Sequence, residues 1–151
     1  DESLVVDFHG RLSNETVYQR YFTKLGYEQR VAHERLVRVC FTDYDREIAL
    51  VAERLDPDIE KPSIAAIARL IRLHNSTTAE FSLIVADDYQ GHGLGTEMVR
   101  RLIDVGKEEG LEKMVAEILG ANGGMVRICE ELGFTINLDD DGETVQAELE
   151  L

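Results

Sequence analysis

Apolar residues fall at Leu4, Val5, Phe8 and Leu12, a spacing of three to four that predicts a helix from almost the first residue. A chain that opens inside an element, with Asp first, reads as a domain cut from a longer protein. Ser13-Asn14-Glu15 supplies a cap for a second short helix carrying Thr16, Val17, Tyr18, Tyr21, Phe22 and Leu25 and stopped by Gly26. A third helical patch, from about Val31 to Val39, sets Leu36 and Val39 on one side. The period then changes. Ile48–Val51 is apolar and partly β-branched, and Ile64–Leu73 sets Ile67, Ile71 and Leu73 against Arg and His neighbours. Asp56-Pro57-Asp58 and Lys61-Pro62-Ser63 mark the turn between them. Ala79–Ala86, with Phe81, Leu83, Ile84 and Val85, reads as a central strand joining that hairpin antiparallel.

Beyond Gly91 the helical period returns in Leu94, Met98, Leu102 and Val105, helped by Val99 and Ile103, and stops between Gly106 and Gly110. Leu111–Leu119 is strand-like, and Asn122–Leu132 is a helix closed by Gly133. Two further strands, near Phe134–Leu138 and Glu143–Leu149, flank an Asp-Gly turn. The sum is a single α/β domain over residues 1–151. It has a mixed sheet, helices on its faces and a β-α-β unit at its heart.

Composition narrows the function. With 44% apolar and 30% charged residues in 151, the chain has the balance of a globular domain. Sixteen basic against thirty acidic side chains give a formal charge of −14, which argues against nucleic acid, since phosphate contacts need a basic face. No apolar run approaches the roughly 20 residues of a membrane span. Two cysteines, Cys40 and Cys129, make no disulfide framework, and no secretory leader is seen, so a cytoplasmic location is expected.

The chemistry concentrates in Val85-Ala86-Asp87-Asp88-Tyr89-Gln90-Gly91-His92-Gly93-Leu94-Gly95-Thr96, a strand, a loop and a glycine-rich entry into a helix. Backbone N–H groups at a helix N-terminus point at an anion, and glycines let it approach. The third glycine comes one residue early for a dinucleotide fingerprint, and no Gly-Lys-Ser/Thr follows for a Walker loop. Glycines that merely ease a tight turn are the plainer alternative. The spacing Gln-x-x-Gly-x-Gly over residues 90–95 resembles the acyl-CoA pyrophosphate loop of the GNAT superfamily of N-acetyltransferases. Asn122 and the later Gly133-Phe134 resemble that superfamily's following strand-helix segment. The blocks Leu12–Phe22, Ala32-His33-Glu34-Arg35-Leu36 and Asp43–Ala52 resemble its bacterial Pat-type protein-lysine acetyltransferases, which modify acyl-CoA synthetases and are often fused to a regulatory domain.

The resemblance implies a GNAT fold: a mixed, mostly antiparallel twisted sheet with flanking helices and a central β-α-β acyl-CoA-binding unit, here lacking the superfamily's first strand. It implies acetyl-CoA as co-substrate, with no metal. The strand Phe81–Ala86, with Ile84, Val85 and Ala86 foremost, would pair with the pantetheine arm through its main chain. Gln90, Gly91, His92, Gly93, Leu94, Gly95 and Thr96 would wrap the pyrophosphate, and Asn122 would touch the pantetheine from the other side. Acyl transfer to an amine needs a base, a polarised carbonyl and a leaving thiolate. Glu80, ten residues before Gln90, is the expected base, against the reading of an ordinary edge carboxylate. A backbone N–H near Val85 is the expected polariser, particularly if the strand bulges there. The position where many GNAT enzymes carry a tyrosine acid holds Cys129, whose plainer reading is a small buried apolar residue.

Other signals are weaker. Asn137-x-Asp139-x-Asp141-Gly142 with Glu148 satisfies a calcium-loop expression, but Thr144–Leu149 alternates as a strand. His9, His33 and His74 show no zinc spacing. His33, Tyr44 and Asp45 are candidate substrate contacts, and Arg100, Arg101 and Arg127 are candidate counter-charges to CoA. Three readings stay open: direct acetyl transfer to a protein lysine, with an acidic rim steering it; acetylation of a small amine; and a catalytically weak acyl-CoA sensor.

Overall fold

In a computed structural model, residues 2–21, 47–56, 58–140 and 142–151 are described. The expected helix at Val31–Val39 lies outside them, as do the Gly26 stop, Cys40, His33, Tyr44 and Asp45. The described elements are α1 (Glu2–Gly10), α2 (Asn14–Tyr21), β1 (Glu47–Asp56), β2 (Ile59–Arg72) and β3 (Thr78–Val85). A short 3-10 turn (Asp87–Tyr89) leads to α3 (Leu94–Glu108), β4 (Lys113–Leu119), α4 (Gly123–Glu131), β5 (Thr135–Leu138) and β6 (Thr144–Glu150). The six strands form one sheet in the order β1-β2-β3-β4-β6-β5. All neighbours are antiparallel except β3 and β4, which are parallel and joined through α3. That is the expected mixed sheet with its β-α-β unit.

Alternation along the strands divides the core in two. Ala79, Phe81 and Leu83 of β3 and Met114, Ala116 and Ile118 of β4 face α3 and α4, where Met98, Val99, Leu102, Ile103 and Cys129 bury against them. Ile84 and Ala86, with Ile64 and Ile67 of β2, face α1 and α2 and meet Val5, Phe8, Leu12 and Val17. His9 belongs to this packing and stands edge-on to Phe8 at 5.9 Å.

One turn signal was misleading. β1 and β2 meet as a tight hairpin with Asp56 opposite Ile59, so Lys61-Pro62-Ser63 lies within β2. Pro62 is tolerated because it falls in the register shift between Arg54 and Asp56, and because β3 joins β2 only from Ala66 onward, so neither edge needs its missing N–H. Asp139 accepts hydrogen bonds from the Thr144 hydroxyl at 2.7 Å and the Gln146 amide at 3.2 Å, and Glu148 lies in β6. The calcium-like spacing is therefore the capped end of a hairpin.

Leu102 is fully buried between α3 and the sheet. Leu102→Ala is expected to lower unfolding free energy by about 3 kcal/mol, read by denaturant melts of both proteins.

Candidate active site

The site begins where two strands part. β3 and β4 pair only over Thr78–Glu80 and Lys113–Val115. Past Glu80 the ladder ends, although both strands continue to Val85 and Leu119. The other edge of β3 stays paired with β2, residue for residue, from Arg72↔Ala79 to Ala66↔Val85. The Ala86 N–H donates to the Ala65 carbonyl at 2.9 Å, which makes Ile84 and Ile67 a hydrogen-bonded pair. Alternation then turns the N–H and C=O groups of Leu83 and Val85 toward the opening. Of Ile84, Val85 and Ala86, Val85 alone turns its main chain to the opening; Ile84 pairs with β2, and Ala86 gives its N–H to Ala65 of β2 and its carbonyl to the Tyr89 N–H at 2.9 Å. Leu83, inside the Phe81–Ala86 strand expected to pair with that arm, joins Val85 at the opening by the two-residue period of a strand. The β2–β3 register runs without a shift through Val85, so no bulge forms there. The opening comes from divergence instead.

Each cradle glycine has its own cause. Gly91 (φ +77°) and Gly93 (φ +84°) are left-handed, with open space where a Cβ would stand. A Cβ on Gly95 would come 2.9 Å from Ile128 Cδ1 and 3.4 Å from Leu83 Cδ2, so this glycine lets α3 lie close to β3 and α4. Gly93 is the N-cap of α3 and brings no side chain to it. The first-turn N–H groups, on Leu94, Gly95 and Thr96, therefore have no intrahelical acceptor and suit an anion. His92 is exposed beside them.

Gln90 is placed differently from the expectation. Its backbone N–H goes to the Asp87 carbonyl at 3.3 Å, and its side-chain amide donates to Val85 O at 3.0 Å and Thr16 Oγ1 at 3.1 Å. It ties the end of β3 to α2 in place of reaching an anion. Asp87 completes the tie: it accepts from the Ser13 N–H at 2.9 Å and from the Thr16 hydroxyl at 3.1 Å. Ser13 meanwhile caps α2 by accepting from the Thr16 N–H at 3.1 Å. Burial pushes the Asp87 carboxyl up, but these hydrogen bonds, led by the Ser13 backbone, outweigh it and hold the group below the ordinary aspartate range. No sequence signal named this tie beyond the cap at Ser13.

Two joined clefts follow from the opening. One, of about 460 Å³, is lined by Leu83, Ile84, Val85, Gln90 and the glycines 91, 93 and 95, with Asn122 and Arg127 opposite. The other, of about 280 Å³, holds Glu80, Ser82 and Glu117. Leu83, Asn122, Met125, Gln19 and Arg20 line both. Asn122 caps α4, its Oδ1 accepting from the Met125 N–H at 3.3 Å, which fixes its side chain where the clefts meet. Glu80 is exposed at the vertex of the opening. Cys129 is fully buried, and burial, aided by the neighbouring Glu130, pushes its thiol up to about 12. A thiol so placed does not donate a proton near neutrality, so the packing reading holds. Arg100 and Arg101 both bind Glu97, at 2.6 and 2.9 Å; Arg127 alone of the three lines the larger cleft. No group of residues suited to a metal occurs among the described residues, nor any helix long and apolar enough to cross a membrane.

Residues 3–135 match the model of the acetyltransferase (GNAT) domain, so the chain belongs to the GNAT acetyltransferase family. It is 33% identical over 137 residues to Acetyltransferase PA5475 of Pseudomonas aeruginosa, covering 91% of this chain and 71% of that one. It is also 33% identical over 122 residues to Acetyltransferase Pat of Mycolicibacterium smegmatis, 80% of this chain but only 34% of that protein's length. Spermidine N(1)-acetyltransferase of Escherichia coli is 28% identical over 130 residues, 83% of this chain and 65% of that one. Among solved structures, the GNAT domain of S. lividans PAT superposes with a TM-score of 0.87 at 23% identity, covering all of this chain and 85% of that one. A structure of yncA from Salmonella typhimurium with its cofactor acetyl-CoA superposes at 0.68 and 21% identity, covering all of this chain and 90% of that one. The expected fold is thereby shown.

Two outcomes follow. Gly93→Ala places a Cβ on a left-handed residue and is expected to cost about 1 kcal/mol in denaturant melts, with weaker binding of acetyl-CoA in calorimetry. Because the folded state lowers the Asp87 pKa, its contribution is complete above the unfolded carboxylate value and fades as pH falls through the folded one. Below about pH 4, thermal melts of the native chain are expected to fall more steeply with pH than those of Asp87→Asn.

Proposed function

We propose that this domain transfers an acetyl group from acetyl-CoA to a lysine side chain of a protein, an acyl-CoA synthetase being the acceptor to test first. The observation that carries this is the opening along β3, with an uncapped, glycine-lined helix N-terminus at its wide end and Glu80 at its vertex. From Glu80 to Val85 the strand extends about 17 Å, room for an extended arm between an anchored phosphate end and a reacting end. Resemblance to the two Pat proteins favours a protein acceptor over a small amine.

Acetyl-CoA supplies the activated thioester. The Gly91–Thr96 backbone holds its phosphates, and Asn122 and the main chain of Leu83 and Val85 hold the arm. Glu80 accepts a proton from the acceptor ammonium, directly or through water. The freed amine lone pair attacks the thioester carbonyl carbon, the C–S bond breaks, and the pair leaves on sulfur. Leu83 N–H, about 10 Å along the strand from Glu80, is the nearer polariser of that carbonyl; Val85 N–H lies two residues further on. Cys129 takes no part, so the thiolate leaves unprotonated or takes its proton from water.

The test is transfer of labelled acetyl from acetyl-CoA to a purified acyl-CoA synthetase, native chain beside Glu80→Gln. Labelling reduced a hundredfold or more in the variant, with acetyl-CoA affinity kept, is the expected result. A native chain that binds acetyl-CoA but labels no synthetase rejects this acceptor and returns the small-amine and sensor readings.

A further inference from the structure

Resting on that reading, we propose that Glu117 determines acceptor specificity: it binds a second positive charge beside the reacting ammonium, so the preferred lysine has a basic neighbour. Ala116 and Ile118 of β4 point to the α3–α4 core, which turns Glu117 to the opposite face. Glu80 of β3 lies on that same face by the alternation that buries Ala79 and Phe81. Both carboxylates line the smaller cleft, which joins the cofactor cleft at Leu83, Asn122 and Met125.

The register sets their separation. Glu80 stands opposite Val115, so Glu117 is the next residue of β4 on that face, beyond the point where the ladder ends. One strand spacing across and two residues along put their Cα atoms roughly 8 Å or more apart. Cations two residues apart on an extended peptide project to one side about 7 Å from each other, close to that span. Neighbouring cations of the sheet are engaged elsewhere. Arg69 binds Glu47 at 2.8 Å, Lys113 lies 3.7 Å from Glu148 and 3.5 Å from Glu150, and Arg72 donates to the Glu109 carbonyl at 3.2 Å. Neither Glu80 nor Glu117 has an ion pair or side-chain hydrogen bond among the described residues. Arg20 of α2 also lines this cleft, which leaves two carboxylates against one cation among its described lining residues, a surplus that attracts an incoming cation and disfavours an acidic neighbour.

The test compares two peptides, each with one acetylatable lysine and with arginine or glutamine two residues to either side of it, and in parallel 1,4-diaminobutane against 1-aminobutane. The native chain is expected to favour the arginine-flanked peptide about fivefold in kcat/KM, with the preference lying in KM and shrinking as salt rises. Glu117→Gln should bring the ratio near one, Glu117→Asp should keep most of it, and Glu117→Lys should reverse it toward an aspartate-flanked peptide. Equal use of both peptides by the native chain, or a ratio unchanged in Glu117→Gln, overturns the proposal. If no peptide reacts but the diamine is favoured in a Glu117-dependent way, Glu117 keeps this role and the protein-lysine reading falls. If peptides and amines all fail, both fall.

Discussion

The site depends on a ladder that stops. Parallel strands in a sheet ordinarily keep pairing as long as both are extended, because an unpaired N–H or C=O away from water is costly. Here β3 and β4 exchange hydrogen bonds for three residues and then separate, while β2 holds the other edge of β3 in strict register to Val85. That leaves one strand edge with its polar groups facing a cleft. Asn122, capping the N-terminus of α4, lines the clefts that open there, and Gly95 lets α3 lie close to β3. An exposed strand edge is ordinarily a hazard for association. Here that edge lines a cleft between a helix terminus and α2.

The two faces of β3 have different tasks. Toward α3 and α4 it contributes only apolar side chains, which pack in the core with both helices. Toward α1 and α2 it contributes Glu80 and Ser82 before returning to apolar Ile84 and Ala86. The change from polar to apolar along one face marks where the open end of the cleft gives way to the packing of α1. The Ser13–Thr16–Asp87–Gln90 hydrogen bonds sit at that border and join α2 to the loop that starts the cradle. The cofactor side and the acceptor side therefore share one set of fixings, with Gln19 and Arg20 of α2 lining both clefts.

Most of the architecture could be read from the sequence, because periodicity, caps and turns are local. The glycines at 91, 93 and 95 located the cradle, Asn122 announced the start of α4, and the helix around Leu102 followed from its apolar spacing. What escaped was set by partners remote in the chain. Which main-chain groups of β3 face the cleft depends on its register with β2, so the sequence alone does not separate Leu83 and Val85, which face it, from Ile84 and Ala86, which do not. Gln90 reads as an anion ligand from its motif, yet Thr16, more than seventy residues earlier, draws its amide away. Pro62 reads as a turn because the register shift that accommodates it is invisible without β1. Glu117 carries no motif; only the parity of β4 places it beside Glu80.

That parity also limits how such a domain can change. Because side chains and main-chain groups of β3 alternate with every residue, adding or deleting one position between Glu80 and Val85 would turn Glu80 into the apolar core and point the wrong carbonyls at the cleft. Without a bulge, length between the carboxylate and the cradle varies by pairs of residues, and each pair would lengthen the gap by about 7 Å.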